Sequence, residues 1–254
     1  MKTISILGGG WLGFALAKEF KNKYKILISS RTSEKLKLYE AENLNAFVLN
    51  EINFENIDNL LDTNYLFINF PPSKFDDYLG FLSKIYKNPK IKNIKKIIFI
   101  SSTSIYPNES GIYTENIEIF NPNSKIVFDA EKLIYKQTDV ILRCAGLMGG
   151  DRIAGKYFSG KTIDTGDLKV NHVHRFDVIE AVKLVINKNL NGIYNLCANE
   201  HPTRKELYDY ICEKLKIEKP IYIKNSLLIN RIISSKKIED IGFSYKYNNP
   251  KEFY

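Results

Sequence analysis

Apolar residues along this 254-residue chain recur in short runs, most of them followed by a polar turn and a stretch with helical spacing. Runs that are apolar over their whole length, rather than alternating, are typical of parallel strands covered by helices on both faces. The sequence therefore predicts an α/β fold with a Rossmann-type doubly wound parallel sheet. The predicted strands are Ile4–Leu7, Lys25–Ser29, Ala46–Leu49, Tyr65–Phe70, Lys96–Ser101 and Val140–Arg143.

The second half of the chain is less regular. A glycine-rich loop follows the sixth strand, and further strands and helices return after it. We predict a small carboxyl-terminal substrate lobe beside the nucleotide-binding sheet. The predicted domains are a dinucleotide-binding domain of 1–145 with 177–198, and a substrate lobe of 146–176 with 199–254.

A glycine-rich turn joins the first strand to the first helical stretch. Gly8, Gly10 and Gly13 match G-x-G-x-x-G, with Trp11 and Leu12 opening the helix. Such a turn exposes the first backbone amides of the helix at the positive end of its dipole, which favours a pyrophosphate. Strand, turn, helix and a second strand follow within about 30 residues, as a dinucleotide site requires. A plain structural turn is the alternative.

The end of the second strand carries no acidic residue that could bind a ribose 2′-hydroxyl. It reads Ser30, Arg31 and Thr32 instead. A guanidinium offers a planar fork of donors that suits a 2′-phosphate, so we predict NADP(H) in preference to NAD(H). A solvated Arg31 at the start of the next helix is the alternative.

Ligands of open parallel sheets bind outside the carboxyl ends of the strands. The fourth predicted strand leads into a rigid turn that is expected to line the cofactor ribose, and the fifth ends in Ser101 at the start of a hydroxyl-rich turn. The residues of the first turn are Asn69, Phe70, Pro71 and Pro72.

Composition narrows the class of protein further. The net charge of +8 comes mainly from scattered lysines, and the densest cluster, Lys90–Lys96, leads into a strand. We therefore expect no nucleic-acid partner, although a positive field favours phosphorylated ligands. Three cysteines without a C-x-x-C pair fit a reducing compartment. No apolar stretch reaches the length of a membrane helix, so a cytoplasmic protein is expected.

Several blocks of the chain, in order, resemble one known family. They include GGGWLG at the start, IIFISSTSIY at 97–106, ILRCAGLMGGDRIAGKYFSGK at 141–161 and NHVHRFDVIEAV at 171–182. The chain resembles the extended short-chain dehydrogenase/reductases, the NAD(P)-dependent epimerase/dehydratase superfamily, and within it the atypical YeeZ-like subgroup. The resemblance implies a two-lobe enzyme that holds substrate between the sheet and a carboxyl-terminal lobe.

The resemblance also implies catalytic residues. Family members use a serine or threonine after the fifth strand, which corresponds to Ser102 with Thr103 beside it, and a helical Tyr-x-x-x-Lys pair. A lysine ammonium lowers the pKa of the tyrosine so that the phenolate can act near neutral pH. In this sequence the segment where that helix is expected, 123–131, lacks the pair. Four Tyr-x-x-x-Lys matches occur in other segments of the chain.

Other candidates come from the remaining motifs. Tyr113 is a candidate acid or base, with packing as the alternative. Tyr157 and Arg152 are candidate substrate contacts in the loop where relatives hold substrate phosphate, with exposed surface as the alternative. His172 and His174 have no partners at metal-ligand spacing, so no metal site is expected.

Two functions remain open at this point. The first is an NADP(H)-dependent oxidoreductase, epimerase or dehydratase that acts on a small hydroxy or keto compound, or a phosphorylated or nucleotide-linked one. The second is a dinucleotide-binding redox sensor or scaffold that has lost catalysis. A homodimer is compatible with either function.

Overall fold

The computed structural model describes residues 1–224 and 229–254. Its helices are short, and its longest strands coincide with the apolar runs. The strands are β1 Thr3–Leu7, β2 Lys25–Ser30, β3 Asn45–Val48, β4 Tyr65–Ile68, β5 Lys96–Ser102, β6 Gly111–Tyr113, β7 Val140–Cys144, β8 Gly146–Met148, β9 Thr162–Ile163, β10 His172–His174, β11 Gly192–Leu196, β12 Ile221–Tyr222 and β13 Arg231–Ile233. The helices are α1 Trp11–Phe20, α2 Leu36–Glu40, α3 Ile57–Leu60, α4 Tyr78–Lys87, α5 Lys125–Ile134, α6 Arg175–Lys188, α7 Arg204–Leu215 and α8 Lys236–Glu239.

Seven strands form one parallel sheet in the order β11-β7-β5-β4-β1-β2-β3. Ile6 of β1 pairs with Ile28 of β2 on one side and with Phe67 of β4 on the other. The chain therefore builds outward from β1 in both directions, and the reversal between β1 and β4 is the switch point where such sheets bind ligands. The predicted Rossmann-type fold is confirmed.

Short strand pairs complete the structure. The β8 strand pairs with β10, β9 pairs with β12, and β6 pairs with β13, each in parallel. The segment at 146–155 was expected to be loop throughout, but its first residues form β8 because His172–His174 supplies a partner strand.

Contacts divide the chain into two compact units. Unit 1 comprises Met1–Ser101, Ser124–Leu142 and Val182–Ile193, and unit 2 comprises Ser102–Asn123, Arg143–Ala181 and Tyr194–Tyr254. This division assigns 102–123 to unit 2, whereas the predicted boundary assigned it to the nucleotide-binding domain. The domain boundaries stay a prediction, and the part of the predicted lobe at 225–228 lies outside the described residues.

Each unit has its own apolar cluster. In unit 1, Leu66 and Ile68 of β4 pack with Phe81, Leu82 and Ile85 of α4, and all five side chains are buried. The Asp77 carboxylate caps α4 by accepting the Gly80 N–H at 2.9 Å. In unit 2, a smaller cluster forms around Val170 and one face of α7. The unit 1 cluster fixes the strands whose carboxyl ends carry the glycine turn.

Candidate cofactor-binding and active site

The turn after β1 has the geometry that the glycine motif predicts. Gly8 has φ of +99°, and a Cβ built there would lie 2.3 Å from the Asn69 carbonyl oxygen. A Cβ at Gly13 would lie 2.2 Å from the Gly8 carbonyl oxygen. Gly8 therefore makes the turn and Gly13 lets α1 pack closely on it, because no other residue fits either position.

Gly10 has a different environment. A Cβ built at Gly10 would meet no atom within 4 Å, so the space in front of this backbone is open. Gly10 is also the N-cap of α1, where no side chain caps the helix and no acidic residue lies in the first turn. An open glycine at the start of an uncapped helix suits a pyrophosphate, which accepts backbone N–H bonds there. The residues present therefore fit a dinucleotide.

Two residues that sequence reasoning missed hold this turn in place. Ser29 accepts the Gly8 N–H on its Oγ at 3.0 Å and the Gly9 N–H on its carbonyl oxygen at 2.7 Å. The Tyr39 hydroxyl donates to the Gly9 carbonyl, and burial raises the pKa of Tyr39. Ser29 could have been found from its place at the strand end, but no spacing in the sequence points to Tyr39.

Arg31, the residue predicted to bind a 2′-phosphate, directly follows β2. Its side chain is exposed, and Nη1 donates to the Lys74 carbonyl at 2.9 Å. No other side-chain bond of Arg31 occurs within residues 1–224 and 229–254, so most of the guanidinium fork is available. Ser30 is buried and accepts the Thr32 N–H at 3.3 Å, which orders the backbone beside Arg31.

The turn after β4 contacts the glycine turn directly. Asn69 Nδ2 donates to the Gly8 carbonyl at 3.3 Å. The Phe70 ring is buried against Phe75, Tyr78 and Phe81, whereas Pro71 is exposed and Pro72 is partly exposed. Unit 1 thus brings together three of the predicted cofactor segments, and their contacts with a cofactor stay predictions.

A buried carboxylate supports the end of β5. Ser101 Oγ donates to Glu131 Oε1 of α5 at 2.5 Å, and both residues are buried. Sequence reasoning placed Ser101 among the cofactor contacts and did not identify Glu131. The short hydrogen bond joins α5 to β5 at the residue before the predicted catalytic serine.

The predicted catalytic hydroxyls follow in unit 2. Ser102 is partly exposed, and its Oγ accepts the Ser104 N–H at 3.1 Å. The Ser102 hydroxyl hydrogen has no acceptor in the described part of the chain, so it can be donated to a substrate oxygen. Thr103 is buried, and its carbonyl oxygen accepts the Tyr106 N–H at 3.2 Å.

Tyr113 and Tyr106 pack against each other with ring centroids 5.4 Å apart. Both are buried. The Tyr113 hydroxyl donates to the Glu109 carbonyl at 3.4 Å. Tyr106 donates to Asn195 Oδ1 at 2.7 Å and accepts from Arg143 at 3.0 Å, and burial raises the pKa of Tyr106 although Arg143 opposes this. The acid or base role of Tyr113 stays a prediction.

The lysines near the missing pair have other contacts. On α5, Lys125 Nζ lies 2.5 Å from Asp129 Oδ2, and Lys132 Nζ lies over the Phe128 ring. Among the four Tyr-x-x-x-Lys matches, the Tyr86 hydroxyl bonds Thr138. Lys161 contacts the face of the Tyr157 ring at 3.6 Å from its centroid, not the hydroxyl.

The loop after β8 carries the predicted substrate residues. Arg152 is exposed, and its backbone forms an antiparallel bridge with Gly149. Tyr157 is 75% exposed. His174 Nδ1 accepts the Phe176 N–H at 3.2 Å, so neutral His174 carries its proton on Nε2. That atom lies 2.2 Å from where a Gly149 Cβ would be, which explains the glycine.

Comparisons with known proteins place these features in context. No protein-family model matches the chain. The chain is 31% identical over 270 residues to the protein YeeZ of Escherichia coli strain K12, covering 98% of each chain. The YeeZ protein of Escherichia coli O157:H7 gives the same values. A relative of this identity and coverage establishes the family.

Solved structures share the fold at lower identity. A UDP-N-acetylglucosamine 4-epimerase from Methanobrevibacter ruminantium M1, in complex with UDP-N-acetylmuramic acid, has a TM-score of 0.82 at 19% identity, covering 99% of this chain and 95% of that one. A dTDP-glucose 4,6-dehydratase from Bacillus anthracis str. Ames, in complex with NAD, has a TM-score of 0.81 at 16% identity, covering 99% and 94%. A functionally unknown protein from Silicibacter pomeroyi DSS has a TM-score of 0.81 at 18% identity, covering 100% and 96%. In the described residues, no helix is both long and apolar enough to span a membrane.

Proposed function

This chain belongs to the YeeZ-like subgroup of the extended short-chain dehydrogenase/reductases, and from that membership we propose that it is an NADP(H)-dependent oxidoreductase, epimerase or dehydratase. Its substrate in this proposal is a small hydroxy or keto compound, or a nucleotide-sugar-like one. The enzyme works without the usual Tyr-x-x-x-Lys pair. Proteins of the same fold are described in complex with NAD or with UDP-linked ligands, which supports a pyridine dinucleotide and a nucleotide-linked substrate.

The main support for the proposal is the difference between the surroundings of Gly8 and those of Gly10. Gly8 is forced to be glycine by the protein itself, whereas Gly10 faces open space. A glycine that the fold does not require is explained by a ligand that must approach its backbone closely. Gly10 and the first turn of α1 would bind the diphosphate, and Arg31 would bind a 2′-phosphate.

The chemistry divides between the cofactor and the chain. Bound NADP(H) supplies or accepts a hydride at the nicotinamide ring. Ser102 donates its hydroxyl hydrogen to the substrate oxygen, with Thr103 and Tyr113 as the remaining candidates for proton exchange. The Glu131 carboxylate holds Ser101, and through it the end of β5, in a fixed position.

Nucleotide preference tests the cofactor assignment. We expect Arg31→Ala to weaken NADPH binding by at least about tenfold, since a charge-assisted hydrogen bond contributes about 1.5 to 3 kcal/mol, and to leave NADH binding nearly unchanged. Calorimetric titration of both nucleotides measures this. Lys35→Ala is the matched control, because Lys35 is an exposed cation in the short helical turn just after Arg31. Equal NADPH and NADH affinity in the wild type would remove the NADP(H) assignment.

The second candidate function, a sensor or scaffold, is favoured by one observation. The helix α5 contains no tyrosine, and both of its lysines contact other side chains. Turnover discriminates the two functions. NADPH oxidation with a panel of sugar nucleotides and small carbonyl compounds should be lost in Ser102→Ala if the protein is an enzyme. Tight NADPH binding without turnover, with a binding affinity that Ser102→Ala leaves unchanged, would favour the sensor.

A further inference from the structure

The buried face of α7 has a charged residue, Arg204, at its amino-terminal end. Arg204, Leu207, Tyr208 and Ile211 follow the helical spacing that puts side chains on one face. The last three are buried and belong to the apolar cluster around Val170. Arg204 occupies the first position of that same face and is only partly exposed. The apolar cluster of unit 2 therefore has a guanidinium at one end.

Arg204 has far more donors than partners. Its Nη1 donates to Thr165 Oγ1 at 2.7 Å. No carboxylate pairs with it among residues 1–224 and 229–254, although a guanidinium carries five N–H donors. A partly buried guanidinium that bonds only one hydroxyl has a strong unmet capacity to bind an anion.

The backbone amides at the start of α7 are not available to bind an anion. The Arg204 N–H donates to the Leu168 carbonyl at 2.9 Å and the Lys205 N–H to the Gly166 carbonyl at 2.8 Å. Thr203 and Glu206 form a reciprocal capping box. Since these amides are satisfied, any anion bound here is recognised by side chains.

A second side chain in the same region also lacks a partner. His172 begins β10, two residues after Val170, whose N–H donates to the Pro202 carbonyl at 3.0 Å, so His172 follows the segment that pairs with the start of α7. Its Nδ1 is fully buried and has no hydrogen-bond partner in the described structure. The opposite edge of the ring lies against Gly146, where a Cβ would be 2.6 Å from His172 Cδ2. Buried polar nitrogens are nearly always hydrogen-bonded, so one without a protein partner indicates a place where a ligand or water binds.

Electrostatics connect the two side chains. Burial, and then the positive charge of Arg204, lower the pKa of His172 to about 4. Of the elements around His172, α7 contributes Arg204, β8 contributes glycine and apolar residues, and the segment after β11 contributes the buried thiol of Cys197. The positive charge of Arg204 is thus close enough to His172 to disfavour its imidazolium form.

We infer that Arg204, His172 and Thr165 form a binding site for the phosphate group of a small-molecule ligand. Phosphate oxygens accept hydrogen bonds from a guanidinium fork, from an imidazole N–H and from a hydroxyl. Bound there, a phosphate would bond His172 Nδ1 and the remaining donors of Arg204, and it would neutralise the guanidinium. The site belongs to unit 2 and uses none of the residues assigned to the dinucleotide. It rests on the proposed function only in naming the substrate as the molecule that carries the phosphate.

The three histidines of the chain make the test direct. Their imidazole proton resonances are assigned with single His→Asn variants and followed by NMR as inorganic phosphate, glucose 6-phosphate or UDP-glucose is added. We expect the His172 resonance to shift with saturation and its titration midpoint to rise by at least about one pH unit, since a nearby anion stabilises the imidazolium. Preference for a phosphate ester over inorganic phosphate would identify a substrate group, and the reverse would identify a free phosphate site.

Two variants control the assignment. Arg204→Met keeps the aliphatic stem and should abolish the His172 response, whereas Lys205→Met should preserve it because the Lys205 ammonium lies over the Tyr222 ring. If Arg204→Met does not fold, Thr165→Val should still weaken the response severalfold. The inference is overturned if none of the three probes, at about 10 mM, shifts the His172 resonance of the wild type. A dissociation constant above about 10 mM corresponds to a binding free energy weaker than about 3 kcal/mol. Because no nicotinamide is present, this result is independent of whether NADPH binds.

Discussion

Gly8 and Gly10 occupy one motif but have different physical reasons to be glycine. At Gly8 the backbone has φ of +99° and a side chain would strike the Asn69 carbonyl. At Gly10 the backbone has φ of −69°, which any residue adopts, and a side chain would meet nothing. The spacing of the glycines is visible in the sequence because the whole motif lies in one continuous segment, 8–13. The contacts of Tyr39 and Glu131 are not, because each depends on a residue about 30 positions away.

This difference makes a residue-scale prediction with an internal control. Gly10→Ala should change the free energy of unfolding by less than about 1 kcal/mol, a typical effect at an N-cap. It should weaken NADPH binding at least about tenfold, because the new methyl group occupies the space that the diphosphate needs. Gly8→Ala should instead destabilise the protein by more than about 2 kcal/mol through backbone strain and the clash with Asn69. Urea unfolding and calorimetric titration separate the two effects, and a Gly10→Ala variant that binds NADPH as tightly as the wild type would contradict the site.

At the scale of elements, the long strands were predictable and the short ones were not. The runs that form β1, β2, β4 and β5 are mostly apolar and mostly buried, since both faces of a parallel sheet are covered. Strands β6, β8 and β13 have three residues each and no periodicity of their own. They form because a distant segment pairs with them, as Gly111–Tyr113 does with Arg231–Ile233. Pairing of that kind leaves no local pattern in the sequence.

The junction of α5 with β5 supports an element-scale prediction. Ser101 and Glu131 form a buried charge-assisted hydrogen bond, so a double-mutant cycle of Ser101→Ala and Glu131→Ala should show a coupling energy of about 1.5 to 3 kcal/mol in urea unfolding. The exposed pair Lys125 and Asp129 on the same helix is the matched control. Its cycle should give less than about 0.5 kcal/mol, because solvent screens the pair. Additive effects of Ser101→Ala and Glu131→Ala would show that this bond does not hold the two elements together.

At the scale of the whole molecule, the parallel sheet follows from the sequence, but the grouping of segments into two units does not. Alternating strands and helices predict a parallel sheet, and the structure has one. Residues 102–123 begin with the last residue of β5 and contain no break in composition, yet their contacts belong to unit 2. What groups them there is the β6 pairing with β13 and the buried hydrogen bonds of Tyr106. These long-range contacts only exist once the chain has folded.

The histidines give the molecule an acid sensitivity that its sequence alone does not show. Burial lowers the folded-state pKa of both His172 and His174 to about 4, with Arg204 adding to the effect at His172 and Arg175 at His174. Unfolded histidine has a pKa of about 6.5, so the unfolded chain binds protons first as the pH falls. The contribution of the two histidines to stability should therefore be fully present above about pH 7.5 and be lost between about pH 6.5 and 4, with His172 accounting for about 2 kcal/mol of the loss by pH 5. His174 should add to the loss in the same direction, because its pKa is lowered as well. Urea unfolding of the wild type and of His172→Phe, at several pH values in phosphate-free buffers, measures how the free energy of unfolding changes with pH. A constant destabilisation by the substitution does not affect this slope.

The His172→Phe variant should show a flatter pH dependence between about pH 6.5 and 4. Identical slopes would mean that the imidazole of His172 takes up its proton equally in the folded and unfolded states.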